Sequence, residues 1–294
     1  LARKVLRLEC PSTIRVYPDL KTINEYVLLA RRSRQGLLGI RRLQKAGGDT
    51  EFESLRDYGP DDEFRHIDWK ASARTGRLIV RNFQMNRNQN LLFMIDCGRM
   101  LTAETQGRSL LDHSLGSALL LARVALEQGD NVGLVAFAGN VLRYVKPGRS
   151  VAYHKRLVQA LYDIYPLHEE SNFDLAFQFL HQFCRKRSLV MLLTNVIDEM
   201  NAAMMTSYMR SLGRRHLPFS ILLRMPEVDR LLVRPPEDRL QLFQQAAAAD
   251  FLGFRAQAVE GLKGNGGMAL EVSPADLNLS LINQYLWIKA RKLL

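Results

Sequence analysis

The 294-residue chain has few of the features that mark secreted, membrane-spanning or catalytic proteins. Its three cysteines, Cys10, Cys97 and Cys184, are widely separated and form no CxxC pair. Scattered cysteines in odd number argue against a disulfide framework and favour a reducing compartment. No apolar run reaches the roughly 18 residues that a membrane-spanning helix requires. The GxSxG, GxxxxGKS/T and HExxH patterns are all missing, so no common catalytic motif points to an enzyme.

Positive charge is concentrated near the N-terminus. The net charge is +11, and residues 1–48 contain eleven basic and three acidic side chains, so this basic arm carries most of the excess. We interpret the arm as a solvated linker helix, with contact to anionic lipid headgroups or to an acidic partner as the alternative. Nucleic-acid binding through residues 31–45 fits less well, because no aromatic residues are interleaved with the arginines of that stretch.

The order of apolar runs predicts a doubly wound α/β domain over residues 90–294, preceded by a smaller, extended N-terminal segment over residues 1–89. Continuous apolar runs separated by helical stretches are typical of a sheet that is covered on both faces. Strands are predicted at Leu91–Ile95, Val132–Phe137, Val141–Val145, Leu189–Leu193, Phe219–Leu223 and Met268–Val272, and helices at about 108–128, 150–164, 172–185, 200–215, 238–256 and 275–293. Within the N-terminal segment, the pattern predicts a strand at 12–17 and a helix at 20–35.

Residues 51–83 form a run that is dense in paired charges and also carries aromatic side chains. It reads EFESLRDYGPDDEFRHIDWKASARTGRLIVRNF and leads towards the first apolar strand. The run resembles the signature of the family of domains of unknown function 58 (DUF58), although Asp61 stands where that family usually has glycine. The residues that carry the resemblance are Tyr58, Pro60, Asp62, Arg65, Ile67, Asp68, Trp69, Ser72, Ala73, Arg74 and Leu78.

The resemblance implies a von Willebrand factor A-like domain after the signature and a MoxR-type AAA+ ATPase as partner. Family members usually carry hydrophobic segments upstream, and this chain opens on LARKVLRL without a methionine or a signal-peptide pattern. We therefore expect a piece of a longer protein that is anchored at the cytoplasmic face of the cell membrane.

Two interpretations of the signature remain open. In the first, its charged residues form a buried ionic clamp that holds the N-terminal arm against the α/β domain, with Trp69 as a packing anchor. Because desolvated charges must find partners nearby, we favour this clamp. In the second, the signature is an exposed docking face for the ATPase. The residues concerned are Arg56, Asp57, Tyr58, Asp62, Arg65, Asp68, Trp69, Lys70, Ser72 and Arg74.

The resemblance also indicates where a metal would bind, since ligands of such sheets collect at the carboxyl ends of the strands. Von Willebrand A domains hold Mg²⁺ there with an Asp-x-Ser-x-Ser loop, a threonine and a second aspartate, because this ion prefers oxygen ligands. In this chain Asp96 matches the first aspartate. Gly98 and Met100 replace the serines, Phe173 takes the threonine position and Asn195 takes the place of the second aspartate. We predict a degenerate site without a metal or other cofactor, with rescue of weak Mg²⁺ binding by Glu169, Glu170 or Asp198 as the alternative.

These observations favour a non-enzymatic interaction protein with no catalytic residues. The alternative is a metal-dependent hydrolase that works at the strand ends through Asp96, Glu169, Glu170 or Asp198. His181 and Cys184 lie three residues apart on one predicted helix and offer a second place for a metal. A buried cysteine beside an unrelated surface histidine is the commoner arrangement, and we prefer it.

Overall fold

The structure of the chain, a computed structural model, describes residues 52–59, 64, 67–83, 88–195, 199–264, 267–291 and 293–294. The basic arm lies outside the described residues, together with the strand and the helix that the sequence predicts within it. The same is true of the signature residues Asp62 and Arg65 and of the candidate ligand Asp198.

The signature folds into an antiparallel hairpin with a short helix in its connection. Strand β1 (Phe52–Asp57) pairs with β2 (Ile79–Phe83), and helix α1 (Trp69–Thr75) lies between them in the chain. Asp68 begins the helix, because its carboxylate accepts the amides of Lys70 and Ala71 at 3.1 and 3.0 Å. Gly76 ends it in the left-handed conformation, with φ of 65°, as is common after a helix.

Among the described residues, six strands form one mostly parallel sheet. After β3 (Asn90–Asp96) come a small hairpin of β4 (Glu104–Thr105) and β5 (Arg108–Ser109), then β6 (Asn131–Phe137), β7 (Val141–Gly148), β8 (Ser188–Thr194), β9 (Leu217–Leu223) and β10 (Met268–Val272). The order across the sheet is β10-β9-β8-β3-β6-β7, and only the edge strand β7 pairs antiparallel. Every residue of β3 and of β8 is buried, which explains why both read as continuous apolar runs.

Helices cover both faces of this sheet. The helices after β3 are α2 (Leu110–Glu127), α3 (Tyr153–Leu161), α4 (Phe173–Phe183), α5 (Glu199–Gly213), α6 (Pro226–Val233), α7 (Arg239–Gly264) and α8 (Leu277–Ala290), of which α6 buries no side chain. One apolar core joins the sheet to α2, α3 and α8, and a second joins it to α4, α5 and α7. Successive residues of β3 therefore alternate between the two cores. The doubly wound α/β fold class predicted from the sequence is confirmed.

Three helices differ from the prediction. Helix α1 lies in the signature, where the sequence predicts an extended segment. Helix α6 was not predicted, because it spans only eight residues, too few for a helical period to be recognised; none of its side chains is buried. Helix α7 continues to Gly264, eight residues beyond the predicted end at position 256. No helix in the described part of the chain is both long enough and apolar enough to cross a membrane.

Candidate functional site

Asp96, the last residue of β3, is the carboxylate at the centre of the predicted metal site. Its side chain is fully buried. One oxygen accepts the amide of Gly98 at 2.9 Å and the hydroxyl of Ser171, and the other accepts the hydroxyl of Thr194 at 2.5 Å. Burial raises the pKa of Asp96, and the hydrogen bonds from Ser171, Thr194 and Gly98 act in the opposite direction. Protein donors therefore already occupy both oxygens of this carboxylate.

Residues 167–172 form a crossing loop that runs over the ends of β3 and β6. Backbone hydrogen bonds hold it at three points. The amide of Leu167 donates to the carbonyl of Cys97 at 2.7 Å, and the amide of Asn172 donates to the carbonyl of Ala138 at 2.8 Å. The amide of Arg99 donates to the carbonyl of Glu169 at 2.9 Å. The crossing loop is thus fixed against the strand ends and brings Ser171 to Asp96.

Gly98 is required by this close approach. A Cβ atom at position 98 would overlap the Ser171 hydroxyl and would lie 2.8 Å from the carbonyl oxygen of Glu169. The backbone at Gly98 is extended, with φ of −82°, so the need for glycine is steric and not conformational. The space that a serine side chain would fill in a metal-binding loop is occupied here by the crossing loop.

The second loop corrects one sequence expectation. Phe173, which was assigned the threonine position, begins α4 and packs in the core, edge to face against Phe137 at 5.5 Å. The hydroxyl that reaches Asp96 comes from Ser171, two residues earlier. Met100, placed at the second serine position, is also buried. Sequence comparison missed Ser171, although it is the only hydroxyl side chain between positions 167 and 173.

Arg255 of α7 brings a cation to the neighbouring strand ends. The guanidinium is 2% exposed and donates to the side-chain oxygen of Asn195, to Glu271 at 2.8 Å and to the carbonyl of Leu223 at 2.9 Å. Asn195 directly follows β8, Glu271 lies in β10 and Leu223 is the last residue of β9. Asn195 therefore binds a positive charge of the protein at the position where the metal-binding pattern has an aspartate.

The sequence contained a signal for Arg255 that the motif comparison did not use. Position 255 falls on the buried stripe of α7 with Ala248, Val259 and Leu262, at spacings of seven, four and three residues. A charged residue at such a position is rarely fully buried without partners. The spacing could have identified the arginine, but not its acceptors.

The oxygen atoms that the described residues offer at the strand ends do not fit a divalent cation. Asp96 is the only carboxylate at the matched positions, and Arg255 places positive charge on Asn195. Glu169 accepts the amide of Gly139 at 2.9 Å, and Glu170 pairs with Arg99 at 2.5 Å. Across the described ranges, no group of three or more His, Cys, Asp or Glu side chains lies together. Magnesium requires several oxygen ligands in near-octahedral array, and this set does not supply them.

His181 and Cys184 belong to no group of three or more His, Cys, Asp or Glu side chains in the described part of the chain. His181 is exposed in the last turn of α4, whereas Cys184 is buried, with its sulfur 3.2 Å from the hydroxyl of Ser188.

The signature presents several of its side chains to solvent. Trp69 is 64% exposed, and Lys70 and Arg74 are exposed beside it on α1. The packing role that the clamp interpretation assigned to Trp69 does not agree with this exposure. Ile67 and Ser72 are the buried side chains among the described signature residues. The hydroxyl of Ser72 accepts the amide of Ile79 at 2.9 Å and ties α1 to β2.

The structure describes contacts for only some of the remaining signature residues. The ring of Tyr58 lies 5.8 Å from that of Phe64. Asp68 serves as the helix cap, and Asp57 lies 4.0 Å from Arg77, with both side chains largely exposed. The side chain of Arg56 is not described, and Asp62 and Arg65 lie outside the described ranges, so their part in an ionic clamp stays a prediction.

Comparison with known families and proteins gives three kinds of match. The sequence profile of a family described as "Protein of unknown function DUF58" matches residues 54–238. The chain is 30% identical over 96 residues to the uncharacterized protein YeaD of Bacillus subtilis (strain 168). That match covers 33% of this chain and 24% of YeaD, so it spans only a small part of the relative.

Solved structures with a similar fold have low identity to the chain. The conserved hypothetical protein BatB from Bacteroides thetaiotaomicron is 14% identical with a TM-score of 0.46, over 69% of this chain and 100% of that chain. An aerotolerance-related membrane protein from Bacteroides fragilis NCTC 9343 is 14% identical with a TM-score of 0.42, over 67% and 98%. The SpRpn10 VWA domain is 11% identical with a TM-score of 0.41, over 67% and 95%. Similarities at this level concern the fold and carry nothing about activity or partners.

Proposed function

The chain belongs to the DUF58 family of proteins of unknown function, and from this premise we propose that it is a non-enzymatic interaction module that binds a MoxR-type AAA+ ATPase. It would act at the cytoplasmic face of the cell membrane, as part of a longer, membrane-anchored protein. The basic arm, residues 1–48, would add contact with anionic lipid headgroups.

The proposal that the chain is not an enzyme rests on the hydrogen bonds of Asp96 and Asn195 at the carboxyl ends of the strands. Both oxygens of Asp96 accept hydrogen bonds from the protein, and the guanidinium of Arg255 is bound to Asn195. Burial raises the pKa of the Cys97 thiol, with a further contribution from the charge of Asp96, so the reactive thiolate is disfavoured. No described group at this edge combines a free nucleophile with a base, which supports binding rather than chemistry.

The exposed part of α1 supports a docking role for the signature. Trp69, Lys70 and Arg74 combine an exposed aromatic side chain with two cations on one short helix. Tryptophan and arginine are the residues that most often dominate the binding energy of protein interfaces. We therefore prefer the docking interpretation and propose that the ATPase offers an acidic surface with an apolar pocket.

Binding to a purified MoxR-type ATPase, with and without ATP, tests this proposal. Trp69→Ala should reduce the affinity at least tenfold with an unchanged melting temperature, because the indole is exposed. Trp287→Ala is the matched control, since the chain has only these two tryptophans and Trp287 lies at the far end of α8. Equal binding by parent and Trp69→Ala, or no association in any nucleotide state, would contradict the proposal.

A second experiment addresses the hydrolase alternative. The parent chain and Asp96→Asn are assayed against phosphatase and esterase substrates with and without Mg²⁺, and Mg²⁺ binding is measured by calorimetry. We expect neither turnover nor micromolar binding. Turnover that depends on Asp96, or a micromolar Mg²⁺ site, would establish the alternative in place of an interaction module.

A further inference from the structure

Helices α6 and α7 form an apolar hairpin that the rest of the described chain leaves uncovered. None of the side chains of α6 is buried, and the first buried residue of α7 is Ala248. We call residues 226–247 the tip hairpin. Its exposed large hydrophobic side chains are Leu231, Leu232, Val233, Leu240, Leu242 and Phe243.

The tip hairpin is an ordered element with its own hydrogen bonds. The side-chain amide of Gln245 donates to the carbonyl of Leu231 at 2.9 Å and also to that of Arg234, which joins α7 to the end of α6. Glu227 accepts the hydroxyl of Thr105 at 2.5 Å, which fixes the start of α6 to the body. The apolar side chains therefore extend from a defined helical surface.

The uncovered area is large for a monomer. Val233 and Phe243 are 83% and 71% exposed, and the other four side chains between 40% and 65%. Summed over the two helices they present roughly 600 Å² of apolar surface, as much as the largest apolar patches of monomeric proteins. Leu240 and Leu242 lie on different sides of α7, so one contact buries part of this surface. With the polar side chains around it, the area removed on two molecules approaches the lower end for specific, stable interfaces, about 1,200 Å².

The charges of the tip hairpin favour a second copy over a membrane or a partner of one charge. Residues 226–243 carry the carboxylates of Glu227, Asp229, Glu237 and Asp238 and the guanidiniums of Arg230, Arg234 and Arg239. Asp229 also pairs with Arg224 at 3.7 Å, so the charges of this surface balance and give it no electrostatic attraction to an anionic lipid surface. In a two-fold symmetric contact the same surface meets itself, so a patch that carries both signs can pair with its own copy.

We propose that the tip hairpin is a self-association surface through which two copies of this chain form a symmetric dimer. The apolar side chains fill its centre, and the arginines and carboxylates surround them. This inference rests on the exposure and charges of α6 and α7 and does not depend on the proposed ATPase partner.

Sedimentation velocity of the full chain between about 1 and 100 µM measures the mass of the particle, and micromolar self-association is within the ordinary range. We expect twice the monomer mass of 33.6 kDa at the higher concentrations. The double variant Val233→Asp/Phe243→Asp should weaken the dimer at least tenfold, with an unchanged melting temperature because neither side chain is buried. A milder pair, Val233→Ser/Phe243→Ser, should act in the same direction if the aspartates disturb the helices.

Val151→Asp is the matched control. Val151 is another exposed apolar residue, but it follows the antiparallel strand β7 and so lies at the opposite edge of the sheet, and its variant should dimerise like the parent. A monomeric parent at 100 µM would overturn the inference, as would a dimer that both tip variants leave intact. The inference would also be overturned if a monomeric parent bound phosphatidylserine vesicles and the tip variants did not. The tip hairpin would then be a membrane-binding surface.

Discussion

Replacing Gly98 by alanine is the sharpest perturbation of the strand-end site. The added Cβ would overlap the Ser171 hydroxyl and approach the Glu169 carbonyl oxygen to 2.8 Å. Because backbone hydrogen bonds fix the crossing loop to β3 and β6, the loop cannot move away without losing some of them. Ser171 must also leave Asp96, and a buried carboxylate then has one donor fewer.

The expected cost follows from these two effects. Forcing an extra methyl group into a packed site costs about 1–3 kcal/mol. Depriving a buried acceptor of its hydrogen bond costs about 1–3 kcal/mol more. Alanine recovers about 0.5–1 kcal/mol by restricting the unfolded chain. We therefore expect Gly98→Ala to lower the free energy of unfolding by roughly 1–5 kcal/mol.

Urea denaturation followed by circular dichroism measures this change, and two further variants control it. Gly116→Ala should stabilise the chain by about 0.5–1 kcal/mol, because Gly116 lies inside α2 and its added Cβ would meet no atom within 4 Å. Ser171→Gly in the Gly98→Ala background should recover part of the loss, since the Glu169 carbonyl remains close. If Gly98→Ala unfolds at the same urea concentration as the parent, the crossing loop does not constrain position 98 and the steric reasoning is wrong.

Three further variants test separate contacts. Arg255→Met should lower the free energy of unfolding by about 3–5 kcal/mol, because the buried acceptors of the guanidinium lose their hydrogen-bond donor. A loss below about 1 kcal/mol in urea denaturation would contradict this. Burial, aided by the charges of Arg215 and His181, lowers the pKa of His216 to about 4. The unfolded chain therefore binds more protons between pH 6.5 and 4, so the parent should lose up to roughly 3 kcal/mol as pH falls through this window. His216→Leu should flatten that profile in urea titrations at several pH values, and an unchanged slope would refute the assignment. Asp68→Ala removes the cap of α1 and should cost about 1 kcal/mol, whereas a buried ionic clamp would cost about 3 kcal/mol or more in the same assay.

Much of the fold could be predicted from local patterns in the sequence. The runs at Leu91–Ile95 and Leu189–Leu193 identify central strands, because a short run that is apolar at every position is typical of a strand buried on both faces. The signature likewise identified the family before any contact was known. Helix α6 escaped prediction although Val228, Leu231 and Leu232 have helical spacing, because eight residues are too few for a helical period to be recognised in the sequence.

The chemistry of the strand ends was decided by the tertiary structure. Asp96 could be found from its place after an apolar strand, but its hydroxyl donors lie 75 and 98 residues further along the chain, in Ser171 and Thr194. Arg255 reaches Asn195 across 60 residues, because the order β10-β9-β8-β3 brings this part of α7 to the strand ends. Local periodicity determines which segments become strands and helices, whereas the order of strands in the sheet determines which distant side chains meet.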